Sequence, residues 1–193
     1  MKKQLLAALF TLAISPWALA DIRIGVSIAQ VDDVFLAQMR DYMAAHAKAL
    51  PGVTLQFEDA QGDVVRQLNQ VEGFLNQKVD AVIVLPVDTA ATANMTRAAV
   101  AAKTPLVYVN RHPDERTLPK GVVTVASNDI EAGQLQMRYL EEKLGGTGNV
   151  AMILGELAQN ATQDLTQGAK PDHQDVPGIK VVGQQRSESQ RRK

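Results

Sequence analysis

The chain has 193 residues and a formal net charge of −1, because 20 Lys and Arg stand against 21 Asp and Glu. It contains no cysteine, which excludes a disulfide scaffold and a thiolate metal site. The mild charge disfavours nucleic acid as a partner, and the length suits one domain or two small ones.

The first twenty residues have the pattern of a secretory signal peptide. Lys2 and Lys3 precede an apolar run from Leu5 to Ile14, and the segment ends in Ala18-Leu19-Ala20. The apolar run is too short for a membrane anchor. We therefore predict cleavage after Ala20 and a periplasmic location. Loss of the two lysines lowers the number of Lys and Arg from 20 to 18, so that the net charge becomes −3.

The remaining sequence alternates between short apolar runs and stretches with helical spacing. The predicted strands are Ile22–Ile28, Val53–Glu58, Ala81–Leu85, Leu106–Val109, Val122–Ala126, Val150–Leu154 and Ile179–Val182. Helices are predicted from Val34 to Leu50, Val64 to Leu75, Ala91 to Ala102, Ile130 to Leu144 and Glu156 to Gly168. The runs Ala81–Leu85 and Leu106–Val109 lack polar alternation, which is typical of strands buried on both faces. The sequence therefore predicts an α/β fold with a parallel sheet flanked by helices.

Polar side chains follow several predicted strands, at the sheet edge where ligands bind in open α/β folds. These candidate ligand-binding residues are Asp32, Asp33, Asn110, Arg111, Asn128 and Asp129, with Phe35 nearby. Carboxylates accept hydrogen bonds from vicinal hydroxyls, the guanidinium donates to them, and an aromatic ring offers a flat face to a sugar. The pattern favours a hydroxyl-rich ligand. The alternative interpretation is that these residues are solvated loop ends and helix caps.

The usual motifs of cofactor binding and catalysis are absent from the sequence. No G-x-G-x-x-G loop, Walker lysine or G-x-S-x-G elbow occurs, and the three histidines lie far apart. We therefore predict no cofactor, no metal and no catalytic residue, and expect a protein that is not an enzyme.

Five segments resemble the periplasmic sugar-binding proteins of ABC importers. IGVSIAQVDDVFLAQMR, AVIVLPVD, PLVYVNR and VVTVASNDIEAGQ match the ribose-binding type. The DD-x-F-L loop and GELAQNAT resemble most closely its inositol- and rhizopine-binding branch. The resemblance extends from Ile22 to about Val182.

The resemblance implies a periplasmic binding protein type I fold, in which two α/β lobes close on a monosaccharide or cyclic polyol. Asp33 and Phe35 then occupy the positions of first-loop ligand residues, and Asn110-Arg111 those of a pair that holds ring hydroxyls. Asn128-Asp129 matches the segment that crosses to the second lobe, and GELAQNAT adds Asn160 to the candidates. The implied protein is a monomer that delivers its ligand to a membrane ABC permease.

Three departures from the family pattern affect what we expect of this chain. Leu165 stands where the family usually has an arginine, Ser189 where it has Trp or Phe, and the chain ends at Lys193 before most of a second lobe. We expect residues 1–20 to be the signal peptide, 21–127 an N-terminal lobe, and 128–193 a crossover helix with an incomplete second α/β lobe. Ligand binding no tighter than millimolar is expected. A non-functional fragment and the ligand-sensing lobe of a sugar-responsive regulator remain as alternatives.

Overall fold

The computed structural model describes residues 21–115, 117–155, 157, 159–170 and 177–186. The predicted signal peptide, residues 1–20, and Ser189 lie outside the described residues. Within them the strands are β1 (Ile22–Ile28), β2 (Val53–Asp59), β3 (Ala81–Leu85), β4 (Leu106–Val109), β5 (Val122–Val125), β6 (Gly148–Leu154) and β7 (Ile179–Arg186). The helices are α1 (Val34–Lys48), α2 (Val64–Asn76), α3 (Thr92–Ala102), α4 (Asp129–Leu144) and α5 (Asn160–Gly168), with a short 3-10 helix at Thr89–Ala91.

The strands form two separate parallel sheets. The first has the order β2-β1-β3-β4-β5, and the second pairs β6 with β7. Every described pairing is parallel, including the register of Ile24 with Ala81 and of Val82 with Leu106. The predicted α/β class and parallel sheet are therefore confirmed.

The first sheet is covered on both faces, as its apolar strands predicted. Val82 and Val84 of β3 lie in a core with side chains of α2 and α3, while Leu85 lies in a second core with Leu36 of α1. Side chains alternate between the two faces of a strand, so β3 contributes to both cores. The carboxyl ends of β1, β3 and β4 consequently meet at one edge of a rigid sheet.

A close approach of β1 and α2 requires glycine at position 25. A Cβ atom added to Gly25 would collide with the ring of Phe74, which is fully buried. The residue thus lets the helix lie directly against the central part of the sheet.

The second sheet packs against α4 and α5 on one side. Its core contains Met137, Val150, Ala169 and Ile179. On the opposite side Ile153 is 78% exposed and Val182 is 65% exposed. The helical stripe predicted for α4 is only partly buried, because Gly133 and Met137 are covered while Ile130, Leu140 and Leu144 are about 40% exposed.

Two further features concern the described residues alone. No described helix is long and apolar enough to cross a membrane. The described part of the chain also has no cluster of three His, Cys, Asp or Glu residues that could hold a metal ion.

Candidate ligand-binding cleft

A cleft of about 260 Å³ lies at the carboxyl edge of the first sheet. It is lined by Asp33, Phe35, Leu36, Asn110, Arg111, Asp129, Gln159, Ala161 and Leu165. The first five residues follow β1 and β4, and the last four belong to the segments of α4 and α5. The cleft therefore lies between the first sheet and the helices that pack on the second.

Asp33 is positioned by the start of α1. Its Oδ1 accepts hydrogen bonds from the backbone N–H groups of Phe35 and Leu36, at 2.8 and 3.1 Å. This is a helix N-cap, in which one carboxylate oxygen satisfies otherwise unpaired N–H groups. The cap also directs Phe35, whose side chain is 60% exposed, towards the cleft that both residues line.

Arg111 is held by the backbone that follows β3. Its Nη1 donates to the carbonyl oxygen of Pro86 at 2.6 Å and to that of Val87 at 3.3 Å. Burial lowers the pKa of Arg111, and the negative charge of Asp33 partly opposes that effect. The side chain retains its positive charge, since the ordinary pKa of a guanidinium lies far above neutrality. A fixed cation therefore lies beside an acceptor carboxylate in the cleft.

The buried side chain of Gln67 stabilises the loop after β3 that holds Arg111. Its amide donates to the carbonyl oxygen of Leu85 at 2.9 Å and accepts from the N–H of Val87 at 2.8 Å. Gln67 is only 1% exposed, so these bonds replace water for two backbone groups at the end of β3. Gln67 thus fixes the same loop whose carbonyl oxygens hold Arg111.

Asn110 adopts a left-handed backbone conformation with a φ of 66°, and its N–H donates to the carbonyl of Val125 at 2.9 Å. Asparagine tolerates this region better than most residues. The residue therefore has a conformational role at the end of β4 as well as a position in the cleft.

Asp129 lines the opposite side of the cleft at the first turn of α4. Its Oδ1 accepts a hydrogen bond from Ser127 Oγ at 2.6 Å. The preceding residue, Asn128, caps α4 by accepting from the N–H of Glu131 at 3.2 Å. Asp129 thus has a fixed orientation towards the cleft, whereas the side chain of Asn128 is engaged by the helix.

Five of the eight candidates from the sequence line the cleft: Asp33, Phe35, Asn110, Arg111 and Asp129. Asp32 is exposed, Asn128 caps α4 and Asn160 bonds to the loop after β4; none of these three is among the lining residues. The sequence did not predict Leu36, Gln159 and Ala161 as lining residues. Leu36 had the signal of a core position, and only the tertiary fold brings α5 to the end of β4.

A larger and more open groove of about 540 Å³ lies on the outer side of α2. It is lined by residues of α2 and its N-cap together with Glu58 of β2. It includes none of the eight candidates and no carboxyl end of a central strand, so it does not coincide with the predicted site.

The chain belongs to the periplasmic binding protein family. A family profile described as "Periplasmic binding protein domain" matches residues 24–192. The match covers both sheets, so the fold is a periplasmic binding protein type I fold, as the resemblance implied.

Two curated relatives have similar sequences over most of this chain. A putative rhizopine-binding protein from Rhizobium meliloti is 41% identical over 99% of this chain and 62% of its own length. A xylitol-binding protein from Mycolicibacterium smegmatis is 30% identical over 83% of this chain and 44% of its own length. The chain therefore spans about half the length of these relatives.

Solved structures include a similar protein with a bound polyol. An ABC transporter solute-binding protein from Bacillus halodurans C-125, solved with myo-inositol, has a TM-score of 0.79 and 35% sequence identity. The alignment covers 88% of this chain and 58% of that protein.

Proposed function

We propose that this protein is the substrate-binding component of a sugar or polyol ABC transporter. The observation that carries the proposal is the cleft itself, which is lined by the carboxylates of Asp33 and Asp129 together with the guanidinium of Arg111, and by the exposed Phe35. Vicinal hydroxyls both donate and accept, so they suit a site that combines carboxylates with a guanidinium. The ligand class is a monosaccharide or cyclic polyol.

The same proposal includes the protein's wider role. Binding rather than catalysis is the proposed role, because two relatives are named as binding proteins and a similar structure is named as an ABC transporter solute-binding protein. Residues 21–127 act as the N-terminal lobe and 128–193 as the part of a second lobe that this chain contains. Closure of the lobes around the ligand creates the form that a membrane permease recognises. The protein works as a monomer.

A titration with myo-inositol, followed by the backbone amide signals of the isotope-labelled protein, tests the binding proposal. We expect shifts at Asp33, Phe35, Asn110 and Arg111 with a dissociation constant in the millimolar range. The affinity is limited because Leu165 offers only an apolar side chain where the family pattern has an arginine. Absence of any shift at about 100 mM ligand, which would nearly saturate a site with a dissociation constant of about 1 mM, contradicts the proposal.

A matched pair of substitutions separates binding from folding. Arg111→Lys keeps the positive charge but loses the planar donor fork of the guanidinium. We therefore expect weaker binding of myo-inositol, seen as smaller amide shifts at the cleft below saturation. Arg66→Lys on the exposed side of α2 makes the same chemical change away from the cleft and leaves the titration unaltered.

Export to the periplasm is proposed from residues 1–20. N-terminal sequencing of the protein recovered from the periplasm of a Gram-negative host is expected to begin at Asp21. A cytoplasmic protein that begins at Met1 contradicts this part of the proposal.

A further inference from the structure

Asn160 joins the two sheets beside the cleft. Its Nδ2 donates to the carbonyl oxygen of His112 at 3.0 Å and to Oδ1 of Asp114 at 2.9 Å. Asn160 begins α5, which follows β6 of the second sheet, whereas His112 and Asp114 follow β4 of the first. Both chain neighbours of Asn160, Gln159 and Ala161, line the cleft, as does Arg111 directly before His112.

The loop that receives these bonds is anchored to the first sheet's helices. The N–H of Asp114 donates to the carbonyl of Thr89 at 3.2 Å, and Oε2 of Glu115 accepts from the buried Thr92 hydroxyl at 2.8 Å. Pro113 between the two acceptors is also buried. The acceptors therefore keep their position relative to the start of α3.

The donor is anchored in the same way to the second sheet. α5 lies close against α4 at two glycines. A Cβ on Gly133 would collide with the carbonyl oxygen of Leu165, and one on Gly168 would collide with that of Ile130. Thr162 in the first turn of α5 is buried. Asn160 must therefore move with α4 and α5 when the cleft changes its width.

We propose that Asn160 is the clasp of the cleft: its two hydrogen bonds hold the sheets in the ligand-enclosing arrangement and break when the cleft opens. The proposal rests on the proposed function and assigns Asn160 a closing role in place of the direct ligand contact predicted from the sequence. The amide nitrogen makes both contacts, whereas Asn160 Oδ1 is buried and has no hydrogen-bond partner among the described residues.

An exchange of the amide and the carboxylate between positions 160 and 114 tests the clasp. Asn160→Asp sets a carboxylate against Asp114 and removes the donor, so we expect the cleft to open. The double variant Asn160→Asp with Asp114→Asn restores one bond with donor and acceptor exchanged, and it is expected to close the cleft again. Asp114→Asn alone keeps an amide-to-amide bond and serves as the control, with no opening expected.

Opening is measured without ligand by the distance between two spin labels. Asp41→Cys on α1 and Glu142→Cys on α4 provide labelling sites, because the chain has no other cysteine and both native side chains are largely exposed. We expect Asn160→Asp to move most of the population to a distinct second distance and the double variant to restore the first. If Asn160→Asp is unfolded by circular dichroism, Asp114→Ala replaces it, with a smaller shift in the same direction. An unchanged distance distribution in the folded variant overturns the clasp.

The myo-inositol titration separates failure of the clasp from failure of the proposed function. If the unsubstituted protein does not bind inositol, the proposed function is wrong, while the label distances still decide on the clasp. If it binds, we expect Asn160→Asp to raise the dissociation constant about tenfold and the double variant to return to within about threefold. Equal affinities in all variants overturn the clasp and leave the proposed function in place.

Discussion

Asp33 combines a structural role with a proposed role in ligand recognition. Its Oδ1 caps α1, while the carboxylate as a whole lines the cleft and interacts electrostatically with Arg111. Asp63 makes the same cap at the start of α2, where its Oδ1 accepts from the N–H groups of Val65 and Arg66, but it lies outside the cleft. The two aspartates thus form a natural matched pair.

We predict that Asp33→Ala and Asp63→Ala each lower the free energy of unfolding by about 1 kcal/mol, since each removes one N-cap. Only Asp33→Ala is expected to weaken the response to myo-inositol. Asp33→Asn preserves the capping oxygen and loses the charge, so stability is retained while binding falls. Urea unfolding and the amide titration measure the two effects. Equal binding by Asp33→Ala and Asp63→Ala would rule out a ligand role for Asp33.

Tyr108 is a second residue with a measurable electrostatic signature. It is fully buried in the first sheet, where its hydroxyl bonds to Thr96 Oγ1 at 2.8 Å and to the carbonyl of Thr92 at 3.1 Å. Burial, opposed by the hydrogen bond with Thr96 and reinforced by the charge of Glu115, raises the pKa of Tyr108 from 10.0 to about 12. Between pH 10 and about 12 the native state therefore keeps the proton of the Tyr108 hydroxyl, whereas the unfolded chain releases it.

The free energy of unfolding is expected to fall as the pH rises from 10 to about 12. Below pH 10 the Tyr108 hydroxyl carries its proton in both the native and the unfolded state, so the stabilisation is fully present. Between pH 10 and about 12 ionisation stabilises the unfolded state relative to the native state by up to about 3 kcal/mol. Tyr108→Phe lacks this ionisation. The difference in unfolding free energy between the unsubstituted protein and Tyr108→Phe should therefore shrink from about pH 9 to about pH 11. A difference that stays constant with pH contradicts the assignment.

At the scale of elements, the contact of α4 with α5 depends on the absence of side chains at Gly133 and Gly168. Each glycine faces backbone of the other helix, so an added Cβ meets atoms that cannot rotate away. Gly133 is therefore needed for the close packing of α4 and α5, whereas a glycine at an exposed helix position only lowers the helix propensity.

We predict that Gly133→Ala separates the two helices and destabilises the second sheet by about 1–3 kcal/mol, the usual cost of overpacking. The effect should be confined to β6, β7, α4 and α5. Hydrogen exchange with mass spectrometry is expected to show faster exchange there and unchanged protection in β1, β3 and β4. Gln136→Ala, at an exposed position on α4, is the control and should change stability by less than about 0.5 kcal/mol. Faster exchange throughout both sheets would show that the contact is not local.

The sequence predicted best those strands whose burial determines which residue types they contain. β3 and β4 have the predicted bounds, because strands buried on both faces give uninterrupted apolar runs. β1 also has its predicted bounds, although Arg23 and Ser27 interrupt its apolar residues. The described α5 begins at Asn160, whereas the predicted start at Glu156 lies outside the described residues. β7 continues to Arg186 instead of ending at Val182. The polar residues of β7 carry no strand signal of their own, and its length follows from pairing with β6.

The lining of the candidate cleft was also predictable only in part. Asn110 and Arg111 follow a strand that the sequence identifies, so their place at the sheet edge could be predicted. Gln67 and Gln159 could not, since one acts through the backbone of Val87 and the other reaches the cleft only through the packing of α5. Contacts between distant parts of the chain leave no periodic trace in the sequence.

At the scale of the whole molecule, the two sheets differ greatly in the core that supports them. The first sheet has large apolar cores on both faces, which include fully buried Phe74, Met95, Leu106 and Tyr108. Among the described residues the second has one small core on one face, and Ile153 and Val182 are exposed on the other. Burial of apolar surface is the main favourable term in folding, so local stability should follow this division.

We predict that the second sheet opens well before the first unfolds. Limited proteolysis of the native protein should cut first after Gly145, and the protected fragment should extend from about Ile22 to Ala126. Backbone ordering costs about 1–2 kcal/mol per residue, which a two-stranded sheet with one covered face offsets only weakly. Hydrogen exchange in low urea gives the complementary measurement, with β6 and β7 exchanging at a denaturant concentration that leaves β1 and β3 protected. If cleavage instead begins within Asp80–Arg111 while Val150–Leu154 survives, the first sheet is not the stable part of the molecule.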